Sequence, residues 1–396
     1  MTSIFWFRRD ARLDDNPGLN AALADGPVLP IFVIDPGLFD RCSPRRRQLL
    51  LAGLNDLDQR LKTYGGRFLV ERGDPVEVVP RVARHHAAQV VHVSGEITPY
   101  GVRRDREVAT HVDLKIHDGV YAHPPGSVLT TAGKTYRVFS PFYRSWSERP
   151  IRPVNLPDGA DFIDIPRIRL TRVEDPVLPA GPGAAEDRLR SFLERADHYD
   201  DQRDRIDLDA TSHASLDLKY GWIGPRRLIA EVGCDTAARV AFVRQVAWRD
   251  FYGHLLAEHP SMVDSSFEER YHSLGWRDNP DEIAAWKEGR TGFPIVDAAM
   301  RRLVAEGQMH NRARLIVGSF LVKDLMVDWR VGERFFRHHL VDGEIAQNTG
   351  SWQWVAGTGT DAAPLLPRLQ PGDTVAAFRS RRPLHPTLGA RARQSA

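Results

Sequence analysis

Cysteine is nearly absent: Cys42 and Cys234 are the only two in 396 residues. That is too few for a disulfide framework or a thiolate metal site, and it fits a reducing compartment. Long apolar runs are missing too. No stretch approaches the ~18 residues of a membrane-spanning helix, and the mean hydropathy is −0.38. The opening MTSIFWFRRDARLDD puts charge where a signal peptide needs its apolar region. These absences lead to the expectation of a cytoplasmic protein with no membrane partner. Lysine is scarce, six residues against 48 arginines. Arginine is the better bidentate phosphate ligand, although a GC-rich genome produces the same bias. No GxGxxG follows the first apolar run, so a dinucleotide in the standard pyrophosphate cradle is not expected there. GxSxG, HExxH and P-loop patterns are lacking as well, which leaves hydrolase and NTPase readings without support.

What is present is enough to build a core: 42% of the residues are hydrophobic, and the length suits two or three domains. Ser3 to Phe7, Val28 to Ile34, Arg67 to Glu71, Gln89 to Ser94 and Leu114 to His117 read as strands. Helical spacing lies between them, as in Leu49, Leu50, Leu54, Leu57 and Leu61. Alternating strands and helices predict an α/β domain with a doubly wound parallel sheet of five strands. From about Tyr121 to Gly183 proline and glycine are dense and periodicity disappears, which predicts a long connector containing a domain boundary. Beyond Ala184 the pattern is helical almost throughout, predicting an all-α second domain. Its clearest helices run over roughly Thr236 to Glu258, with Asp235 as N-cap, then Ile295 to Ala305, Arg312 to Asp328 and Gly332 to Leu340. Seven of the nine tryptophans lie in this half, where large aromatics most often simply fill a core. The formal charge of +2 hides an asymmetry. Residues 365–396 carry six arginines and one aspartate, so the preceding chain has 48 basic against 51 acidic side chains, a net −3.

Metal chemistry has weak footing. His85-His86 and His338-His339 are adjacent pairs on predicted helices, about 100° apart, whereas a chelating pair needs i, i+4 spacing. The informative stretch is Met309 to Pro364. On a helix Asn311 and Arg314 share a face, and Asp342 in the turn after the next helix is an ion partner for Arg314; a structural salt bridge is the plainer alternative. Trp352 and Trp354 share a face if the segment is a strand and diverge by roughly 200° if it is a helix.

The motifs FWFRRDARLDDNPGL, WRDFY (248–252), GRTGFPIVDAAMRRL (289–303), MHNR (309–312) and WQW (352–354) carry a resemblance. Over residues 1 to about 364 the chain resembles the photolyase/cryptochrome family, in particular the class I cyclobutane pyrimidine dimer photolyases. The resemblance implies an antenna domain over 1–122, a linker over 123–185, a helical FAD-binding domain over 186–364 and an atypical Arg-rich tail over 365–396. It implies FAD as cofactor and damaged DNA containing a pyrimidine dimer as partner, with the protein a monomer. In such proteins excited reduced FAD passes an electron to the dimer, whose cyclobutane ring splits before the electron returns. Carried over by motif, the flavin pocket would include Tyr199 and the run Thr211, Ser212, His213, Ala214 and Ser215. Phe242, Arg249, Asn311 and Arg314 would follow, then Asp342, Gly343, Glu344 and Asn348, the last beside flavin N5. Trp352, Trp329 and Trp276 match the chain that reduces the flavin under light. Trp248 and Trp354 match the walls of the lesion pocket, with Gln245 and Asn311 facing the lesion. Arg203 and Arg312 match contacts to the DNA backbone. GEITPYGVRRDREV is similar to the segment of deazaflavin-binding relatives. An antenna of the 8-hydroxy-5-deazaflavin or methenyltetrahydrofolate type, or an empty pocket, is compatible with it.

Four departures from the family pattern stand out. His213 replaces an arginine in the phosphate-facing run, and Glu344 replaces an aspartate. Gln245 replaces the glutamate usual three residues before Trp248, keeping hydrogen-bonding capacity and losing the carboxylate. This exchange also suits a cryptochrome-like photosensor without repair activity; a nucleotide-binding transferase without flavin is a more distant alternative. After Pro364 the family continues with YFRxFNPxxQ, where this chain reads LLPRLQPGDTVAAF. Codons exist that encode LLPRLQPGDTV in one frame and YFRVFNPVTQ in the next. The expectation is therefore a frameshifted end, leaving an inactive or impaired photolyase as a further alternative. A basic DNA-binding arm is the competing reading of the tail.

Overall fold

The computed structural model describes residues 2–165 and 176–361. The Arg-rich tail, the change of pattern after Pro364 and the last residues of the expected helical domain lie outside the described residues. In the first half β1 (Ser3–Phe7), α1 (Pro17–Asp25), β2 (Val28–Ile34), α2 (Pro36–Phe39), α3 (Pro44–Lys62), β3 (Leu69–Arg72), α4 (Pro75–His85), β4 (Val90–Ser94), α5 (Pro99–Ala109) and β5 (Leu114–His117) alternate. The five strands are parallel in the order β3-β2-β1-β4-β5. β1 is buried along its whole length, and its side chains alternate between two cores. Phe5 and Phe7 point into the layer with Leu54, Leu57 and Leu61 of α3. Ile4 and Trp6 point into the opposite layer with Val78, Val79 and Val82 of α4. The order reverses between β1 and β4, so the loops leaving these two strands flank the topological switch point.

The bounds predicted for β1, β2 and β5 coincide with the structure. β3 starts two residues later than predicted and ends at Arg72, and β4 starts at Val90. The connector is not structureless: α6 (Phe139–Ser147) lies within it and buries Phe139, Phe142 and Trp146 against the helical half. Its one proline, Pro141, sits in the first turn, where a missing N–H costs no hydrogen bond.

The second half is helical: α7 (Pro182–Leu193), α8 (Tyr199–Gln202), α9 (Ala214–Tyr220), α10 (Pro225–Val232), α11 (Ala237–Glu258), α12 (Pro280–Glu288), α13 (Pro294–Glu306), α14 (Asn311–Ser319), α15 (Trp329–His339) and α16 (Ile345–Ala356). Thr236, not Asp235, caps α11, its side chain accepting from the Arg239 N–H at 3.3 Å. The helix predicted over Arg312 to Asp328 is shorter. α14 passes into a π turn over Phe320–Asp324 and the chain reverses at Met326, whose φ is +56°. Asp328 then caps α15 by accepting from the Arg330 N–H at 2.9 Å, which starts that helix at Trp329. α11 runs through the molecule. Phe242, Val246 and Phe251 join the core beneath the sheet, while α14, α15 and α16 pack round a second core containing Trp286, Trp329 and Trp352.

Candidate functional site: a cavity in the helical half

Helices α9, α11, α14, α15 and α16 surround a cavity of about 700 Å³, within the range that encloses large organic ligands. Every residue expected to hold the cofactor lines it: Tyr199, the run from Thr211 to Ser215, Phe242, Arg249, Asn311, Arg314, the run from Asp342 to Glu344, and Asn348. Gln245, Trp248, Trp352 and Trp354 line it as well. Arg203, Arg312, Trp276 and Trp329 are not part of the wall.

One side of the cavity is polar. Thr211 and Ser212 precede α9, and His213 adopts a left-handed conformation (φ +54°) that turns the chain into the helix. The His213 imidazole lies 2.6 Å from Asp209 and is directed to that carboxylate. Ser215, one turn on, donates to Asp342 at 2.7 Å. Arg314 contacts the same carboxylate at 2.8 and 3.1 Å, so the sequence-predicted pair forms. Burial alone pushes the Asp342 carboxyl up; Arg314 and Ser215 outweigh it and hold it below the ordinary value. On α16 Asn348 donates its Nδ2 to both the backbone oxygen and the carboxylate of Glu333, each at 2.9 Å. That commitment leaves the Asn348 carbonyl oxygen as the end of the amide available to the cavity. Tyr199 and Phe242 form an aromatic part of the wall and pack on Phe192 behind it, with centroid separations of 4.7 to 5.8 Å.

Charge within the wall is mostly neutralised in place. Asp207 pairs with Arg205, Arg302 with Glu306, Asp342 with Arg314, and Glu344 with Arg9. Among the described residues, two basic side chains of the wall, Arg249 and Lys219, have no carboxylate within salt-bridge distance. Arg249 donates to the Val120 carbonyl at 2.6 Å and lies over the Tyr121 ring. Lys219 is pulled down to about 7 by burial and by Arg46 and Arg9. A wall with basic side chains outside salt bridges, hydroxyls on Thr211 and Ser212, an aromatic flank and an amide oxygen suits a ligand that combines a diphosphate with flat rings, as FAD does.

The tryptophans are arranged in depth. Trp352 is 3% exposed, with Phe336 at 5.0 Å and Trp286 at 6.2 Å. Trp329 is buried in the same cluster, and the partly buried Trp276 packs against it. α16 is a helix, so Trp352 and Trp354 diverge, yet both border the cavity. Gln245 turns its Nε2 back onto the Ala241 carbonyl at 3.2 Å. The two arginines matched to DNA contacts are held by their own neighbours. Arg203 lies 3.8 Å from Asp200 and Arg312 is paired with Asp204.

Sequence reasoning overlooked Glu333, Lys219 and His310. His310 caps α14 through Nδ1; its position inside the MHNR motif was the available signal. Glu333 offered none. Among the described residues no cluster of three or more His, Cys, Asp or Glu side chains is arranged to hold a metal.

A five-stranded α/β half joined to a helical half with a large cavity lined in this way defines the class of photolyase-like flavin proteins. Residues 3–158 match the DNA photolyase family, and residues 242–380 match the FAD-binding domain of DNA photolyase. The deoxyribodipyrimidine photo-lyase of Halobacterium salinarum is 38% identical, covering 91% of this chain and 83% of that protein. The one from Streptomyces griseus is 40% identical, covering 91% and 84%. A bacterial class III photolyase from Agrobacterium tumefaciens superimposes with a TM-score of 0.87 at 30% identity, covering 96% of this chain and 84% of that one. The chain belongs to the DNA photolyase family and carries that family's FAD-binding domain.

Proposed function

We propose that the protein is a light-driven DNA-repair enzyme that splits cyclobutane pyrimidine dimers. The observation that supports this reading best is the convergence of two helices on one cavity: α16 brings Asn348, Trp352 and Trp354, and α11 brings Gln245 and Trp248. Bound and reduced, FAD would supply the light-excited electron donor that dimer splitting needs. The chain's own residues bind, orient and exclude water. Thr211 and Ser212 with Arg249 would hold the diphosphate end, Ser215, Arg314 and Asp342 fix the wall between α9, α14 and α16, and Asn348 would present its carbonyl oxygen to the ring system. Trp352, Trp329 and Trp276 form the path by which electrons are resupplied. Trp248 and Trp354 receive the extruded dimer. Extrusion costs a few kcal/mol, least at a damaged site, and aromatic stacking returns ~1–3 kcal/mol per base.

Arg203 and Arg312 position the DNA backbone by exchanging Asp200 and Asp204 for phosphates, so binding weakens steeply with salt. The protein works as a monomer in the cytoplasm, and among the described residues no helix is long and apolar enough to cross a membrane. One observation favours a second reading, a photosensor without repair: Gln245 supplies no carboxylate at the lesion side and its amide is turned onto its own helix. Light-dependent repair of a dimer-containing oligonucleotide by the purified flavoprotein decides between them. Repair in light and none in the dark supports the enzyme, and flavin photoreduction without repair supports the sensor.

A further inference from the structure

A buried ion pair links the loop after β1 to a wall residue of the flavin-binding cavity. Arg9 lies two residues beyond β1, at the switch-point end of the sheet. Its Nη2 is 2.8 Å from Oε1 of Glu344, and its Nη1 is 3.5 Å from Glu96 beyond β4. Glu344 is also the N-cap of α16, its Oε2 accepting from the Gln347 N–H at 3.0 Å. The two oxygens of one carboxylate therefore do different work, one closing the first turn of α16 and the other tying that turn to the sheet. Both side chains are largely buried, 16% and 5% exposed, where such a contact is little screened by solvent.

Arg9 is itself held from behind. Gly221 packs so closely on its carbonyl that a Cβ there would lie 2.0 Å from the Arg9 oxygen. The Ala11 N–H donates to the Tyr220 carbonyl at 3.3 Å. A fixed Arg9 and a doubly engaged Glu344 make a strut whose far end is the helix carrying Asn348, Trp352 and Trp354. An aspartate at 344 would be one methylene too short to cap the helix and reach Arg9 together.

We propose that Arg9, acting through Glu344, is a positioning residue for the cavity-facing helix α16 and so for the ligand held against Asn348. The inference rests on the flavin assignment of the cavity only for its effect on cofactor release; the effect on the helix is independent of it. The test uses the purified holoprotein and the variants Arg9→Gln, Arg9→Lys, Glu344→Asp and the double variant Arg9→Gln/Glu344→Asp. Amide hydrogen exchange is read over residues 345–349, with the rate of FAD release after dilution.

Arg9→Gln and Glu344→Asp should each speed exchange in that first turn by about tenfold, as expected for one charge-assisted contact, and speed FAD release in parallel. The double variant should be no worse than the worse single one, because both break the same contact, and Arg9→Lys should restore part of the protection. First-turn exchange unchanged in Arg9→Gln, or additive effects in the double variant, overturns the proposal. If Arg9→Gln loosens the whole protein, Arg9→Lys decides: loss confined to the first turn supports the strut, and loss spread equally through α11 and α16 overturns it. First-turn exchange that responds while the protein takes up no FAD supports the strut and rejects the flavin assignment instead.

Discussion

Phe139 and Trp248 stack face to face, with ring centroids 3.7 Å apart and planes 7° from parallel. Phe139 begins a helix inside the connector, and Trp248 borders the cavity from α11. The Arg244 guanidinium covers both Phe139 and Tyr143 at 5.4 and 5.2 Å, closing the back of the stack. One face of Trp248 is thus spent on the protein, which fixes the plane it offers to a ligand. Phe139→Leu should leave FAD content unchanged and weaken binding of a dimer-containing oligonucleotide roughly two- to tenfold, the worth of an aromatic pair beyond its buried area. A fluorescence titration beside a thermal melt checks this, with Tm falling modestly. Affinity that stays at the wild-type level would mean the stack serves only the core.

The Arg314–Asp342 pair predicts a pH dependence. The Asp342 carboxyl is held below its ordinary value of 3.8, burial being outweighed by Arg314 and Ser215. The unfolded chain therefore binds that proton more readily than the folded one. The pair's stabilisation is fully present above about pH 4 and is lost as the pH falls through the lower, folded-state value. Asp342→Asn should cost about 1–3 kcal/mol at neutral pH and narrow its gap from wild type as the medium becomes acidic. Denaturant melts of both proteins from pH 7 down to pH 3 measure that gap. A gap of constant size would assign the loss to shape and not to charge.

Legibility in the sequence followed how local each cause was. β1 and β2 are continuous apolar runs buried along nearly their whole length, so their limits coincide with their composition. Helix α6 was hidden by the prolines around it, although Phe139, Phe142 and Trp146 carry helical spacing. The π turn after α14 answers to the packing of Phe320 and Leu321 and to the reversal at Met326, and no pattern in FLVKD announces it. At the cavity, spacing alone placed Asn311 and Arg314 on one face and found Asp342 as a partner. The remaining lining residues came from motif resemblance. Glu333 and Lys219 were out of reach, because nothing in their own segments shows that a distant helix will bury them.

Under the proposed function, Gln245 should limit repair, and one substitution should lift that limit. One Nε2 hydrogen goes to the Ala241 carbonyl at 3.2 Å, and the side chain offers the cavity no carboxylate. Gln245→Glu removes that internal donor and supplies an acceptor that is free to turn toward the dimer. The expected result is a higher yield of dimers split per photon absorbed, with FAD content unaltered. The measurement is repair of a thymine-dimer oligonucleotide under calibrated light. A yield equal to that of the parent protein would show that this position does not limit the reaction.

Under the proposed function, a substitution at Trp329 should separate the supply of electrons from the repair step. It is 1% exposed, sits in the cluster that contains Trp352, and has the partly buried Trp276 packed against the same core. Its indole N–H lies 3.4 Å from the Ser266 hydroxyl, so phenylalanine in its place loses one weak contact and leaves a small void. Trp329→Phe should cost about 1–3 kcal/mol of stability and leave both FAD content and affinity for dimer-containing DNA as they were. Photoreduction of the bound flavin by an external thiol should slow by an order of magnitude or more. Enzyme reduced chemically beforehand should still repair at the parental rate. The two assays run side by side discriminate sharply, because loss of repair in the pre-reduced protein would place Trp329 in the architecture of the cavity and not in the path that refills it.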